Sequence, residues 1–364
     1  MQFANHIFIY SLIVLLNVCE LISNRLAKQL ANPTLSITSL LAASNRYSKD
    51  VGMFGRDVDY MSLPTQPHRI LTKNPGTLIH VVKYNTSGQY CLSGGSDRTI
   101  TLWNPSTGSK IKTYSAHGWE ILDIIVAKDN SKFASCGGDK TVPYPVFLWD
   151  VLSGSTLRRF TGHFSRVNAV DLNEEASVVI SGSFDATVKL WDCKSQSRVP
   201  IQTIDDAKDS ITSLQVVGHE LVTGSVDGKL RTYDLRMGQL TTDFIGQPIT
   251  CLKQSSDSKT LLIATLNSQL RLFDKSTGGL LQTFLGHTNT TYRVRSCFAG
   301  IDEGYIISGS EDGQIFIWDY LDASIIHQIK AHDGKIIACV DFHAERNQML
   351  SCATDGSVIV WEAN

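Results

Sequence analysis

The chain has 364 residues, 42% of them hydrophobic, and a formal net charge of −2. This length allows one large domain or two ordinary ones, and the hydrophobic share is enough for a substantial core. The near-neutral charge argues against a generally basic nucleic-acid-binding surface and leaves open only a local patch.

The cysteines show no metal-ligand spacing. None belongs to a Cys-x-x-Cys pair, none has a histidine at ligand distance in sequence, and most fall inside apolar runs typical of strands. We therefore expect buried free thiols in a reducing compartment rather than disulfides or a metal centre. The eight residues are Cys19, Cys91, Cys136, Cys193, Cys251, Cys297, Cys339 and Cys352.

Residues 1–60 differ from the rest of the chain. They contain one short apolar run, Ile7–Val18, which is short for a membrane span. Met1–His6 carry no Lys or Arg, which argues against a secretory signal. We interpret 1–60 as an N-terminal extension that is disordered or wrongly annotated, with organelle targeting and a membrane anchor as the alternatives.

A repeat dominates residues 61–364. An aromatic residue followed by Asp, Asn or Glu recurs at spacings of 46, 42, 42, 40, 45 and 43 residues. Repeats of this length that end in Trp-Asp are typical of the four-stranded blades of WD-repeat propellers. The pairs are Trp103-Asn104, Trp149-Asp150, Trp191-Asp192, Tyr233-Asp234, Phe273-Asp274, Trp318-Asp319 and Trp361-Glu362.

Other polar residues recur in phase with these aromatics. Most blades have an Asp or Asn six residues before the aromatic, a Ser or Thr four residues earlier still, and four blades have a His further upstream. Resemblance to WD-repeat proteins implies that the four residue types form a hydrogen-bonded tetrad, which satisfies buried polar groups. The predicted structural tetrads are His117, Ser135, Asp139 and Trp149; His163, Ser181, Asp185 and Trp191; His287, Ser308, Asp312 and Trp318; and His332, Ser351, Asp355 and Trp361.

The two ends of the repeat region predict a closed ring. The chain ends at Asn364, just past the third strand of the last blade, and residues His68–Thr72 resemble an outer strand such as Lys110–Tyr114. The N-terminal strand would then complete the last blade and remove the exposed sheet edges. The predicted fold is an all-β, seven-bladed propeller over residues 61–364.

A narrower resemblance is visible in four segments. Gly137–Lys140, Asn173–Ala176, Trp191–Lys194 and above all Tyr233–Leu240 are similar to the mitogen-activated protein kinase organiser family of WD-repeat scaffolds. The resemblance starts near Met61, which matches the usual start of that family. It implies a protein that gathers signalling kinases in the cytoplasm and nucleus, with a subunit of a spliceosomal or other RNA-processing complex as the alternative.

Blade two departs from the repeat. Asp139 precedes Trp149 by ten residues where six is the rule, and the extra residues are Val142–Pro145. Proline cannot donate to a central strand ladder. The segment is either a loop that bulges outward or an artefact of the gene model, such as retained intron sequence, and we favour the artefact.

No catalytic motif appears. The chain has no phosphate-binding Gly loop, no nucleophile elbow and no His-Glu-x-x-His pair. The turn positions carry Ser, Gly and apolar residues rather than polar groups that converge on a central channel. We expect a non-enzymatic protein without cofactor, metal or small-molecule substrate, whose partners are proteins rather than nucleic acid or membrane.

Two protein-binding sites are predicted. Trp119, Phe164, Arg166 and Phe184 fall at turn positions of neighbouring blades, and exposed aromatics beside an Arg are typical of binding hot spots. The alternative is that Trp119 or Phe164 folds into the channel wall.

The second site lies in blade four. The segment Leu221–Arg236 resembles the box by which WD-repeat substrate receptors dock on a cullin–RING ligase adaptor, with Asp227, Tyr233, Asp234 and Arg236 at its key places. Most of that box is simply a WD blade, so only Arg236 adds information. A substrate receptor of a ubiquitin ligase is therefore a third functional hypothesis.

Overall fold

The computed structural model describes residues 63–73, 76–139 and 142–363, which belong to one unit, Met61–Asn364. Seven antiparallel sheets of four strands each make up this unit, and the predicted all-β, seven-bladed propeller is confirmed. Residues 1–60 and the apolar run within them lie outside the described residues. Among the residues described, no helix has the length and hydrophobicity needed to cross a membrane.

In blades one to six the strands run in chain order from innermost to outermost, whereas the outer strand of blade seven is the first of the described strands. The first half of the ring consists of β1 (Gln66–Lys73); blade one, β2 (Ile79–Tyr84), β3 (Cys91–Gly95), β4 (Thr99–Trp103) and β5 (Lys110–Ser115); blade two, β6 (Ile121–Val126), β7 (Lys132–Gly137), β8 (Tyr144–Asp150) and β9 (Thr156–His163); and blade three, β10 (Val167–Leu172), β11 (Val178–Ser183), β12 (Val188–Asp192) and β13 (Gln202–Ile204).

The second half repeats this order. It consists of blade four, β14 (Ile211–Val217), β15 (Glu220–Ser225), β16 (Lys229–Asp234) and β17 (Gln239–Phe244); blade five, β18 (Ile249–Gln254), β19 (Thr260–Thr265), β20 (Gln269–Asp274) and β21 (Leu280–Phe284); blade six, β22 (Ser296–Ala299), β23 (Tyr305–Gly309), β24 (Gln314–Asp319) and β25 (Ile325–Lys330); and blade seven, β26 (Ile337–His343), β27 (Gln348–Ala353) and β28 (Ser357–Glu362).

The N-terminal strand closes the ring as predicted. Strand β1 pairs antiparallel with β28, with Pro67 opposite Trp361 and Ile70 opposite Ile359. Blade seven therefore takes its outer strand from the start of the repeat region and its other three strands from the end. The pairing joins the two ends of the ring and covers the open edge of β28.

The core lies between blades rather than within them. Trp149, Trp191, Trp318 and Trp361 are all buried, and apolar side chains from adjacent sheets pack around each of them. One such cluster joins Val146 and Leu148 of blade two to Val170 and Val179 of blade three. An aromatic residue recurs in each repeat because its large side chain fills the space between two twisted sheets.

The second residue of each repeated pair ends the third strand. The side chain of Asp150 accepts a hydrogen bond from the backbone N–H of Ser153 at 2.6 Å, and Asp234 does the same for Arg236 and Met237 at 2.8 and 2.9 Å. Asn104, Asp192, Asp274 and Asp319 occupy the same role in their blades. The pair thus combines core filling with a turn that directs the chain into the outer strand.

The extra residues of blade two lengthen a hairpin. Tyr144 and Pro145 belong to β8 and pair only with β9, opposite His163 and Thr161, whereas the pairing with β7 ends at Val146. Pro145 is therefore accommodated where no ladder toward β7 requires its missing N–H.

The seven cysteines in the described part of the chain are free and buried, in agreement with the expectation of buried thiols. Cys19 lies outside that part.

Candidate functional site

The upper face of the propeller, as defined here, carries the turns between the second and third strands and the connections between blades. Phe164 lies in the β9–β10 connection and is 76% exposed, while Phe184 lies in the β11–β12 turn and is 50% exposed. The guanidinium carbon of Arg166 is 4.8 Å from the centre of the Phe184 ring, within the range of a cation–π contact.

Trp119 lies on the same face and is half-buried. Its backbone N–H donates to Asp139 at 3.1 Å, and the guanidinium carbon of Arg98, in blade one, lies 5.1 Å from its ring centre. Arg98 could not be found from the sequence, because its pairing with the Trp119 ring depends on the packing of two blades. We call Trp119, Phe164, Arg166 and Phe184 the aromatic patch.

Charged groups border the aromatic patch. Glu120 lies 3.3 Å from the Nε2 atom of His80, and this close contact is the main cause that lowers the pKa of the Glu120 carboxyl. The positive charge of Arg166 lowers the same pKa further. The patch therefore combines exposed aromatic rings with fixed charges of both signs, which suits recognition of a protein surface.

Blade three contains the complete predicted tetrad. The indole N–H of Trp191 donates to Ser181 Oγ at 2.8 Å, Ser181 Oγ lies 2.8 Å from His163 Nε2, and His163 Nδ1 lies 3.0 Å from Asp185. Burial lowers the pKa of His163, against the opposing effect of Asp185. A neutral ring protonated at Nδ1 satisfies all of these contacts in one direction, from Trp to Ser to His to Asp.

Blade two repeats this arrangement, and blade seven varies it. In blade two, His117 lies 2.9 Å from Asp139 and 2.8 Å from Ser135, and Trp149 donates to Ser135 at 2.8 Å. In blade seven, His332 and Trp361 both contact Ser351 at 2.8 Å, but His332 Nδ1 reaches Ser357 at 2.7 Å and Asp355 only at 3.6 Å. Ser357 therefore connects the histidine to Asp355, to which it is itself hydrogen-bonded at 2.5 Å.

Blade six does not form the predicted tetrad. The indole N–H of Trp318 donates to the backbone oxygen of Leu285, Ser308 contacts Ser296, and Asp312 is exposed and accepts from Gln314. Both ring nitrogens of the buried His287 lack a hydrogen-bond partner among the described residues, and burial lowers its pKa to about 4. The physical reason is that the backbone and Gln314 satisfy the groups that would otherwise have bonded to His287.

Blade four replaces its absent histidine with an arginine. Arg231 is buried, and its guanidinium contacts Asp227 at 2.7 Å and Ser225 Oγ at 3.0 Å. A cation on the third strand thus pairs with the turn aspartate from within the same blade. The sequence offered one indication of this replacement, because blade four has the turn residue Asp227 but no upstream histidine to pair with it.

The central channel holds charged side chains that the turn positions in the sequence do not predict, because these side chains come from strands and connections. Arg295, in the connection into blade six, contacts Asp123 of blade two at 2.8 Å and the Leu122 carbonyl at 2.7 Å. Arg293 donates to the backbone oxygens of Asn168 and Thr250, in blades three and five. The two guanidinium groups span the channel and tie four blades together.

Several channel side chains also satisfy the open edge of the next blade. The innermost strand of each blade leaves backbone N–H groups unpaired on its inner side. Asp341 accepts from the Tyr84 N–H at 2.8 Å, Asp171 from the Val216 N–H at 2.8 Å, and Gln215 from the Gln254 N–H at 2.8 Å. These polar residues are thus structural links between blades and give no reason to infer catalysis.

Arg236 lies apart from the aromatic patch, in the turn between β16 and β17. Its backbone N–H is fixed by Asp234, and its side chain is exposed. Tyr233 is buried and Asp227 forms an ion pair with Arg231. These two residues of the predicted adaptor box therefore stabilise the blade. Within the described residues, no group of three His, Cys, Asp or Glu side chains could hold a metal ion.

Seven four-stranded blades with aromatic–acidic pairs at their third strands define a WD-repeat β-propeller, a class of generally non-catalytic interaction scaffolds. The WD domain, G-beta repeat model matches residues 66–104, 108–142 and 323–362, and the model for the N-terminal domain of nucleolar protein 10-like proteins matches residues 145–306.

Full-length relatives give a narrower assignment. WD repeat domain-containing protein 83 from Rattus norvegicus is 44% identical over 299 residues, covering 82% of this chain and 92% of that protein. The Homo sapiens protein of the same name is 44% identical over 283 residues, covering 78% and 88%, and a Dictyostelium discoideum homologue is 34% identical over 324 residues, covering 81% and 97%. The chain belongs to the family of WD repeat domain-containing protein 83.

Proposed function

We propose that this propeller holds components of a mitogen-activated protein kinase cascade together and binds them through the aromatic patch. The observation that carries the proposal is the exposure of both Phe164 and Phe184 on the upper face, with Arg166 against the Phe184 ring. Burying one such side chain in an interface stabilises it by roughly 1.5–3 kcal/mol. Aromatic residues and Arg are enriched in protein interfaces and their hot spots.

The geometry of the aromatic patch favours binding for a second reason. The Phe164 N–H donates to Asp185 at 2.8 Å, so the tetrad of blade three fixes the loop that presents the ring. A loop whose backbone is held in place before binding loses little conformational entropy on association. The kinase-cascade assignment rests on the resemblance carried by Tyr233–Leu240, and the proposed location is the cytoplasm and nucleus.

The test compares two exposed phenylalanines. In pull-downs with the tagged full chain, Phe184→Ala is expected to reduce recovery of kinase-cascade proteins about tenfold or more, since hot-spot truncations cost about 2 kcal/mol. Phe244→Ala is the matched control, because Phe244 is 76% exposed on the outer strand of blade four. Both variants should melt like the wild type, since neither ring is in the core.

Two results would contradict the proposal. Equal recovery with Phe184→Ala and Phe244→Ala would exclude the aromatic patch as the binding surface. Recovery of spliceosomal proteins in place of kinases, with the same dependence on Phe184, would favour the RNA-processing alternative while keeping the surface.

A substrate receptor of a cullin–RING ligase is the second candidate, and the exposed side chain of Arg236 supports it. A free guanidinium on a turn can form a forked pair with a partner's carboxylate. Arg236→Ala should leave melting unchanged and reduce recovery of the ligase adaptor, whereas Lys194→Ala, the equivalent position in blade three, should not. Failure of the wild type to recover the adaptor would exclude this candidate and leave the scaffold proposal intact.

A further inference from the structure

One residue from the inner strand of each blade lines the lower half of the channel. In every blade, the Ser, Thr or Ile at the tetrad position of the second strand pairs with one residue of the inner strand. The residue that follows this partner lines the channel, so all seven residues share one register. We call this set the lower ring: Lys83, Ile125, Asp171, Gln215, Lys253, Cys297 and Asp341.

The lower ring surrounds a cavity that opens on one face. The cavity has a volume of about 290 Å³ and reaches Lys128 and Glu174, which lie in the turns that follow the inner strands on the lower face. Toward the upper face, Arg293 and Arg295 span the channel. A ligand would therefore enter from the lower face, opposite the aromatic patch.

The blade-to-blade contacts account for the other charged residues of the lower ring but not for Lys253. Lys83 pairs with Asp341 at 2.6 Å, and Asp171 accepts backbone N–H groups at 2.8 Å from Leu172 and Val216. The Lys253 ammonium has no hydrogen bond and no ion pair within the described residues. Its side chain faces the cavity with its three donors available.

The charges of the cavity do not balance. Its lining contains five cations, Lys83, Lys128, Lys253, Arg293 and Arg295, and four carboxylates, Asp123, Asp171, Glu174 and Asp341. Burial also raises the pKa of Asp171 to about 6, so part of its negative charge is lost near neutral pH. The charge of Lys83, followed by burial, lowers the pKa of Lys253, and the charges of Asp341 and Asp171 only partly oppose this shift.

The geometry points to an oxyanion site at Lys253 that takes one carboxylate group from the lower face. Two further donors lie in the cavity wall. Ser213 Oγ accepts from the Leu252 N–H at 3.1 Å, which leaves its hydroxyl hydrogen free to donate. Gln215 uses its side-chain oxygen for the Gln254 N–H, so its amide nitrogen is available. A cation and neutral donors in one cavity wall suit a carboxylate, and one negative charge balances the lining.

A carboxylate can come from a free small acid or from an acidic side chain of a protein docked on the lower face. Succinate is the probe for the first source, and the blocked tripeptide acetyl-Gly-Glu-Gly-amide is the probe for the second. Each is titrated into the full chain at constant ionic strength with NaCl. A concentration ten times the dissociation constant should raise the melting temperature by about 2 °C or more.

Lys253→Gln is expected to abolish this rise. Lys259→Gln is the control, because Lys259 lies in the β18–β19 turn of the same blade, is exposed, and pairs only with Asp257 at 3.5 Å. If Lys253→Gln does not fold, carbon NMR of the dimethylated lysines of the wild type replaces it, with succinate expected to shift the Lys253 signal and leave the Lys259 signal unchanged.

The possible results of the titrations distinguish a carboxylate site at Lys253 from a general effect of salt. A rise with either probe that depends on Lys253 supports the site, and the probe that acts at lower concentration identifies the source. An equal rise in wild type and Lys253→Gln, or no rise beyond that of NaCl with both probes, overturns it. A failed kinase pull-down leaves this result unaffected, because the site and the aromatic patch lie on opposite faces.

Discussion

The unpartnered histidine of blade six gives the sharpest test of the tetrad argument. His287 is 3% exposed, and neither ring nitrogen has a hydrogen-bond partner among the residues described. A buried polar group without a partner costs about 1–3 kcal/mol. Replacement by leucine, which has a similar volume, removes that cost but also the edge contact with Trp318, whose ring centre is 5.5 Å away. We expect His287→Leu to be about 1 kcal/mol more stable than wild type at pH 8.

The pH dependence of this variant is a stronger test because it does not depend on packing. Burial depresses the folded-state pKa of His287 from its usual value of 6.5 to about 4. Below pH 6.5 the unfolded chain binds a proton that the folded chain does not, so stability is lost as the pH falls toward 4. Between pH 8 and pH 5 this linkage removes about 2 kcal/mol from the wild type. His287→Leu lacks the group, so its advantage should grow by about that amount.

Urea unfolding followed by tryptophan fluorescence at pH 8 and pH 5 measures both quantities. The control is His163→Leu, the same change in an intact tetrad, which leaves Ser181 and Asp185 without their histidine partner and should cost about 2 kcal/mol or more at pH 8. An advantage for His287→Leu that is equal at the two pH values would refute the reasoning. So would a loss of stability at pH 8 as large as that of His163→Leu.

Two further predictions concern the tetrads and the domain boundary. Asp185→Ala should lower the free energy of unfolding by about 1–3 kcal/mol, because Asp185 accepts from His163, Phe164 and Thr187, whereas Asn267→Ala should cost less; equal shifts in urea midpoint would contradict this difference. Residues 61–364 produced alone should be soluble and melt in one cooperative transition in a calorimeter, and loss of soluble expression on removal of 1–60 would show that the boundary is misplaced.

The sequence predicted the aromatic patch only in part. Phe164 and Phe184 could be placed on the upper face because their distance from the turn aspartate fixes them outside the strands. Arg98 and the Glu120–His80 pair could not, because they belong to different blades and meet only when the sheets pack. The exposed position of Arg236 could also be predicted, because it depends only on the distance of this residue from Tyr233-Asp234 within one blade.

What the sequence by itself determined is the number of blades, the order of their strands and the existence of a closing strand, which was predicted around His68–Thr72 and extends over Gln66–Lys73 in the structure. These follow from local rules, since turn residues, strand periodicity and the repeated aromatic act within about 45 residues. Only the tertiary structure decided that Arg231 replaces a histidine, that His287 loses its partners, and that Arg295 reaches Asp123 across the channel. The physical reason is that each of these outcomes is a competition for hydrogen bonds in a buried space. The hydrogen bonds that form depend on groups that folding brings together, and the repeat pattern does not predict them.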